Sequence, residues 1–335
     1  MTCSGTDRSV SSAIAQRTRS AGALLWLTVV LQVCSAGCGR SEAGPNRDGL
    51  KVLRIPMVSD GPKTFDPVRG STHYENIAVS QVYETLLQYK YLVRPYELEP
   101  LLLAEMPEVS PDGLVYRFRL KKGVYFHDDP CFPGGKGREL VANDVIYSWK
   151  RIADNNNRPK AWWIVRDTIK GFDAYREEQN RAAESGGRFD YDAPVEGMRV
   201  LGRYEFEIEL VKPVQRFLWT LAMFQLSVVP REAVEYYGER FNRHPVGTGP
   251  FILESWIAKK RIVFRKNPNY HACTYPTEHE TRDVAAGLTE ASGRRIPFVD
   301  RIEISMFAES QPMWLKFRAG ELDFTTVPAE YYPQA

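Results

Sequence analysis

LVYRFRLKKGVYFHDD, residues 114–129, is the stretch from which the fold can be read. Val115, Arg117 and Arg119 alternate with Tyr116, Phe118 and Leu120, and a period of two marks a strand with one buried and one solvated face. Gly123 then breaks the run. Upstream, KVLRIPM (51–57) reads as a first strand ending at the Gly61-Pro62 turn. Residues 76–87 space Ile77, Val79, Val82, Tyr83, Leu86 and Leu87 as an amphipathic helix does. Downstream, NDVIYSW (143–149) predicts a helix beginning near Ala142, and VLGRYEFEIEL (200–210) a hairpin broken at Gly202-Arg203. Residues 232–241 look helical, 245–250 are dense in breakers, and 262–264 and 302–306 read as strands flanking a polar region, 267–295. No repeat or low-complexity tract interrupts this series. Short strands and helices in irregular order predict an α/β (mixed α+β) chain with more than one lobe.

Length and composition bound what such a chain can be. At 335 residues it has room for about two domains. With 43% hydrophobic and 26% charged residues it falls among ordinary globular proteins, away from disordered or membrane-spanning ones. A net charge of +2 with dispersed basic residues gives no footprint for nucleic acid, which is excluded as a partner. Arg8, Arg17 and Arg19 precede an apolar run, Ala21 to Val33, and small residues lead into Cys38, so residues 1–37 read as a signal peptide. The run is shorter than the about 20 residues that a membrane span needs. Residues 38–49 are polar and suit a flexible tether. Of the five cysteines, cleavage before Cys38 would leave Cys131 and Cys273 with free thiols, as two separate thiols or as a pair that an exported compartment permits.

Several groups invite a chemical reading and have a plainer one. Gly247-Thr248-Gly249-Pro250 lacks the GK[ST] ending of a phosphate loop and reads as a tight turn. His127-Asp128-Asp129 reads as a solvated turn, because adjacent residues cannot converge on one ion without a partner segment. His271, Cys273 and His279 lack a second ligand pair, so no metal is expected. Tyr83, Tyr89, Tyr91 and Tyr96 read as packing and interface residues. Asp144 beside Glu139 could pass for a carboxylate pair, but a helix cap explains Asp144. No Ser-His-Asp order, HExxH or GxSxG appears, so neither an enzyme nor a cofactor is expected.

Taken in order, Thr64-Phe65-Asp66-Pro67, Val82-Tyr83-Glu84-Thr85-Leu86-Leu87, residues 101–128, NDVIYSWKR (143–151), Pro245 to Phe251, RKNPNY (265–270) and FRAGELD (317–323) resemble the motifs of one family. It is the peptide/nickel/opine family of extracytoplasmic solute-binding proteins that serve ABC transporters, family 5 of the bacterial extracellular solute-binding proteins. Ser35-Ala36-Gly37-Cys38 likewise resembles a lipobox, departing from it at Ser35, which implies lipidation at Cys38 or, alternatively, cleavage elsewhere to a soluble secreted form. The resemblance implies a two-lobed periplasmic-binding-protein type 2 fold. Residues 50–82 and 206–332 would form the first lobe, 83–205 an extra domain inserted in it, and 333–335 the start of a second ligand-binding lobe expected beyond the chain. The polar link from Cys273 to Arg295 departs from the family and reads as a surface excursion.

The implied function is capture of oligopeptides or dipeptides in the periplasm or cell envelope, for delivery to permease subunits, by a protein held to the membrane by its lipid. Peptides would bind by β-strand addition. The loop after the first strand is one wall of that cleft in relatives, which points to Gly70, Ser71, Thr72, His73 and Tyr74. A non-peptide solute such as nickel, haem or a sugar, and a chaperone-like or signalling surface lipoprotein, remain as alternatives. With one wall of the cleft, the 335-residue chain alone is expected to bind peptides weakly and to expose apolar surface.

Overall fold

Residues 115–119 do form a strand, and its buried side chains explain why: Tyr116 and Phe118 turn into the core while Arg117 and Arg119 face solvent. The computed structural model describes residues 49–334. In chain order its strands are β1 (Val52–Val58), β2 (Leu87–Tyr89), β3 (Leu98–Pro100), β4 (Glu108–Val109), β5 (Val115–Arg119), β6 (Met198–Gly202), β7 (Glu205–Glu209), β8 (Phe251–Ile257), β9 (Arg261–Lys266) and β10 (Arg301–Phe307). Its α-helices are α1 (His73–Val82), α2 (Ala142–Ala153), α3 (Phe172–Glu184), α4 (Phe217–Thr220), α5 (Arg231–Tyr237), α6 (Thr281–Ala285) and α7 (Ser310–Arg318). None of these helices is long and apolar enough to cross a membrane.

The strands make two main sheets and a hairpin. The first sheet runs β1-β10-β9-β8, with β1 parallel to β10 and the other pairs antiparallel. The second is antiparallel throughout, in the order β4-β5-β7-β6, and β2 pairs with β3 alone. Phe118 of β5 stacks on Phe206 of β7 at 4.8 Å, and Trp149 of α2 meets Phe206 edge-on, which seats α2 on the second sheet. Phe65 plays the same part for the first sheet, edge-on to Trp256 and Phe264 at 5.1 and 6.1 Å. The solvated face of the second sheet is a lattice of cross-strand ion pairs, among them Arg117 to Glu207 and Arg119 to Glu205, each worth little alone at such exposure.

One expectation is corrected by this architecture, and one expected boundary meets a strand. The helix expected over 76–87 starts at His73 and ends at Val82, because Thr72 caps it and because Glu84 is drawn into a buried network described below. The expected boundary between Glu205 and Phe206 falls inside β7, the second strand of the predicted hairpin. β7 pairs along its length with β5 and β6, so a division that keeps the sheet whole comes after Leu210.

Candidate functional site

Three buried polar nodes join the motifs that lie far apart in sequence. Asp66, which begins a short helical turn by accepting from the Val68 amide, also receives both terminal nitrogens of Arg151 at 3.0 and 2.7 Å. The guanidinium lies over the Phe241 ring, 5.3 Å from its centre. Burial works against the charged arginine, but the Asp66 carboxylate more than offsets it and holds the group firmly protonated. Such a pair costs about as much to desolvate as it returns, so its clearest effect is to fix how α2 meets the loop after β1.

The second node is Glu84. One carboxylate oxygen accepts from Thr248 Oγ1 at 2.7 Å; the other accepts from Tyr270 Oη at 3.0 Å and lies 2.8 Å from His271 Nε2. The third is His127, which is 1% exposed. Its Nε2 donates to the Gly249 carbonyl at 3.0 Å and its Nδ1 accepts from the Gly247 amide at 3.5 Å. Burial pushes its pKa down to about 4, so the ring is neutral and has one donor and one acceptor for these two partners. The solvated turn expected at 127–129 is therefore overturned for His127 and Asp129. Burial acts to raise the Asp129 pKa, but hydrogen bonds from His244, the Cys131 amide and Tyr237 outweigh it and carry the carboxyl down to about 2. Only Asp128 stays half-exposed, bonded to Lys136 and the Gly137 amide.

The segment 247–250 is the common partner of two nodes, and its glycines are there for room. A Cβ on Gly247 would stand 2.1 Å from the Val82 carbonyl oxygen, and one on Gly249 2.7 Å from it. The end of α1 thus rests directly on this backbone, and the Gly249 amide donates to Val82 at 2.8 Å.

The expected wall residues sit around the start of α1. Thr72 is its N-cap: Thr72 Oγ1 accepts from the Glu75 amide, and the buried Glu75 carboxylate accepts from the Thr72, Ser71 and Lys63 amides. Burial raises the Glu75 pKa, but these bonds and the Thr72 hydroxyl hold it below the usual range. Gly70 is buried against the Phe224 ring, 2.6 Å from where a Cβ would be. Ser71, Thr72 and His73 are exposed, and Tyr74 Oη donates to the Val58 carbonyl at 3.3 Å, tying the loop to the end of β1. Glu75 and Phe224, which hold this loop in place, were not singled out in the sequence; the Thr-x-x-Glu capping box at 72–75 was the available signal.

The edge of β1 away from β10 adjoins the same loop. Arg54 exchanges backbone bonds with Asp323, donating to its carboxylate at 2.5 Å and accepting from its amide at 2.9 Å. By the alternation of the ladder, Pro56 and Val58 face the same way as Arg54, away from β10. Gly320, at φ +74, ends α7 and lets the chain turn to bring Asp323 there.

The remaining candidates separate. Glu139 accepts from Tyr204 and Arg203, whereas Asp144 is held by Arg138 and the Val141 amide, so they form no pair. His271 is committed to Glu84, His279 is exposed, and Cys131 and Cys273 are both unpaired thiols. Of the four tyrosines read as packing residues, Tyr83 is buried, while Tyr89, Tyr91 and Tyr96 are exposed. Tyr89 and Tyr91 line a cleft of about 510 Å³ between α1, the β2–β3 hairpin and the segment from Cys273 to Ile296; none of the five expected wall residues lines it. Cys3, Cys34 and Cys38 lie outside the described residues.

Residues 97–335 match the family model described as bacterial extracellular solute-binding proteins, family 5 middle. The probable deoxycholate-binding periplasmic protein YgiS of Escherichia coli is 25% identical over 92% of this chain and 50% of its own length. The probable ABC transporter periplasmic-binding protein SapA of Escherichia coli is 30% identical over 73% of this chain and 43% of its own. Among solved structures, the periplasmic binding protein DppA of Helicobacter pylori in complex with the peptide STSA superposes with a TM-score of 0.61 at 26% identity, over 86% of this chain and 49% of that one. The chain thus spans about half the length of the curated relatives it matches.

Proposed function

Because the chain belongs to family 5 of the bacterial extracellular solute-binding proteins, whose structural neighbours have the type 2 periplasmic-binding fold, we propose that it is the substrate-binding component of an ABC transporter. It captures oligopeptides or dipeptides outside the cytoplasmic membrane, hands them to the permease subunits, and does no chemistry on them. The observation that carries this reading is the joining of the ordered motifs into buried nodes, of which Asp66–Arg151 anchors the segment between β1 and the loop at 70–74 and the other two hold the far end of α1. The arrangement leaves backbone groups at the end of β1, Gly70, Ser71, Thr72, His73 and Tyr74 as one wall for an extended ligand. Main-chain hydrogen bonding of that kind accepts many side-chain sequences, as a peptide importer must. The likeness to a peptide-bound DppA supports the same ligand class.

We place residues 50–82 and the chain beyond the second sheet in the first lobe, and that sheet with α2 and α3 in an inserted domain. The leader places the protein in the periplasm or cell envelope, and Cys38 is the residue that would carry a lipid anchor. Cys38→Ser should move the protein from the membrane fraction to the soluble one; continued membrane association of the variant would refute the anchor.

A thermal-shift titration of the full-length protein tests the ligand class. Mixed di- to pentapeptides should raise the unfolding midpoint saturably, because a ligand that binds only the native state stabilises it by mass action. Saturation by deoxycholate or haem with no response to any peptide would reject the assignment.

A further inference from the structure

The cleft between α1, the β2–β3 hairpin and the segment 273–296 is a separate feature from the proposed peptide wall. That segment, which departs from the family pattern, closes on itself: Thr274 bridges Arg295, the Tyr275 amide donates to the Arg294 carbonyl at 2.8 Å, and the Ile296 amide donates to Cys273 at 3.0 Å. It is also fastened to the hairpin. Glu278 pairs with Lys90 at 3.0 Å, Glu280 accepts from the Arg94 amide at 2.9 Å, and the Tyr275 ring stands edge-on to Tyr91 at 5.9 Å. The cleft between them is therefore preformed, and it has the size of a small-ligand site, about 510 Å³.

Its lining has one chemical character. Tyr91, Tyr275 and Phe224 present aromatic surface, Glu84 and Glu99 supply carboxylates, and among the described residues no lysine, arginine or histidine lines the cleft. Glu84 is already served by Thr248, Tyr270 and His271. Glu99 accepts one hydrogen bond, from Gln88 Nε2 at 2.8 Å, and has no ion-pair partner among the described residues. Neighbouring cations are engaged elsewhere: Lys90 with Glu97 and Glu278, Lys121 with the Leu101 carbonyl, and Arg94 over the Tyr96 ring. Tyr91 remains 57% exposed, so its ring is available to a ligand.

We infer that this cleft binds an organic ammonium group, held by the Tyr91 and Tyr275 rings and neutralised by Glu99. Ring faces carry negative potential and attract a cation, more strongly where water is partly excluded, and a carboxylate without a counter-charge completes the match. An anion of the same shape meets carboxylates and no donor cation, so the site selects by charge. A free alkylamine and a lysine side chain both carry that group, and the test separates the two. The inference does not rest on peptide binding by the wall at 70–74.

The full-length protein is titrated with n-butylammonium, tetramethylammonium, the blocked tripeptide acetyl-Ala-Lys-Ala-amide and sodium butyrate, with saturation-transfer NMR on the ligand methyl protons. Both small ammonium ions are expected to bind saturably and butyrate not at all. Competition of the tripeptide with n-butylammonium assigns the lysine source, and its failure to compete assigns the free amine. Glu99→Gln and Tyr91→Ala should each weaken n-butylammonium by about tenfold. Ser80→Arg, a change at an exposed helix position lining the cleft, should abolish binding with unchanged circular dichroism. Equal binding of butyrate, absence of saturation, or affinity unaltered by Ser80→Arg would overturn the inference.

Discussion

His127 can keep its place only as a neutral ring, since a proton on Nδ1 would set an N–H against the Gly247 amide that it now accepts from. The sign of the pH dependence follows. In the unfolded chain the imidazole titrates near 6.5, and in the native protein near 4, so between those values the unfolded state binds more protons and stability falls as pH falls. The loss accumulates to roughly 3 kcal/mol once pH passes below the native value. Asp129, held down to about 2, contributes in the opposite sense of charge but lower on the scale: its stabilisation is present above about pH 4 and is lost as pH falls towards 2. Urea denaturation from pH 7 to 4 should show the decline, and His127→Gln, which has nothing to titrate, should flatten it. An equally steep decline in the variant would contradict the assignment. None of this was legible in the sequence, where His127-Asp128-Asp129 is three polar residues after a strand. The Gly247 and Gly249 groups that bury the imidazole lie 120 and 122 positions away.

At the scale of elements, what the sequence carried was local. The alternation at 115–120 and the apolar spacing after Ala142 depend on neighbours within a turn or a strand, and both elements form where they were read. The misplaced helix shows the limit. Tyr83, Leu86 and Leu87 continue a helical spacing, but Glu84 is fixed by Thr248, Tyr270 and His271, and Leu87 by pairing with Pro100, so long-range bonds end the helix at Val82. The glycines at 247 and 249 were read as a tight turn, whereas the end of α1 lies against their backbone. Gly247→Ala should therefore cost about 1–3 kcal/mol through overpacking, with little change in the denaturant dependence of unfolding. A variant as stable as the parent would show that the contact between α1 and residues 247–250 is not tight.

For the whole molecule, the ordered motifs proved to be structural: they meet in nodes such as Asp66–Arg151 and Glu84–Thr248, and few of their side chains are free to touch a ligand. That explains how the family could be read from strings of residues, whereas the wall at 70–74 was named only by its position after the first strand. Residues that fix the core recur as recognisable strings, whereas the wall at 70–74 offers mainly backbone, and the aromatic cleft arises from segments that come together only in the fold. The central claim is that a peptide lies along this wall. The most direct measurement is photo-crosslinking of a tetrapeptide bearing benzoylphenylalanine to the full-length protein, with the attachment sites mapped by mass spectrometry. The account predicts adducts between Val58 and Tyr74 that excess unlabelled peptide suppresses. Competable adducts confined to other segments, with none in that stretch, would contradict it.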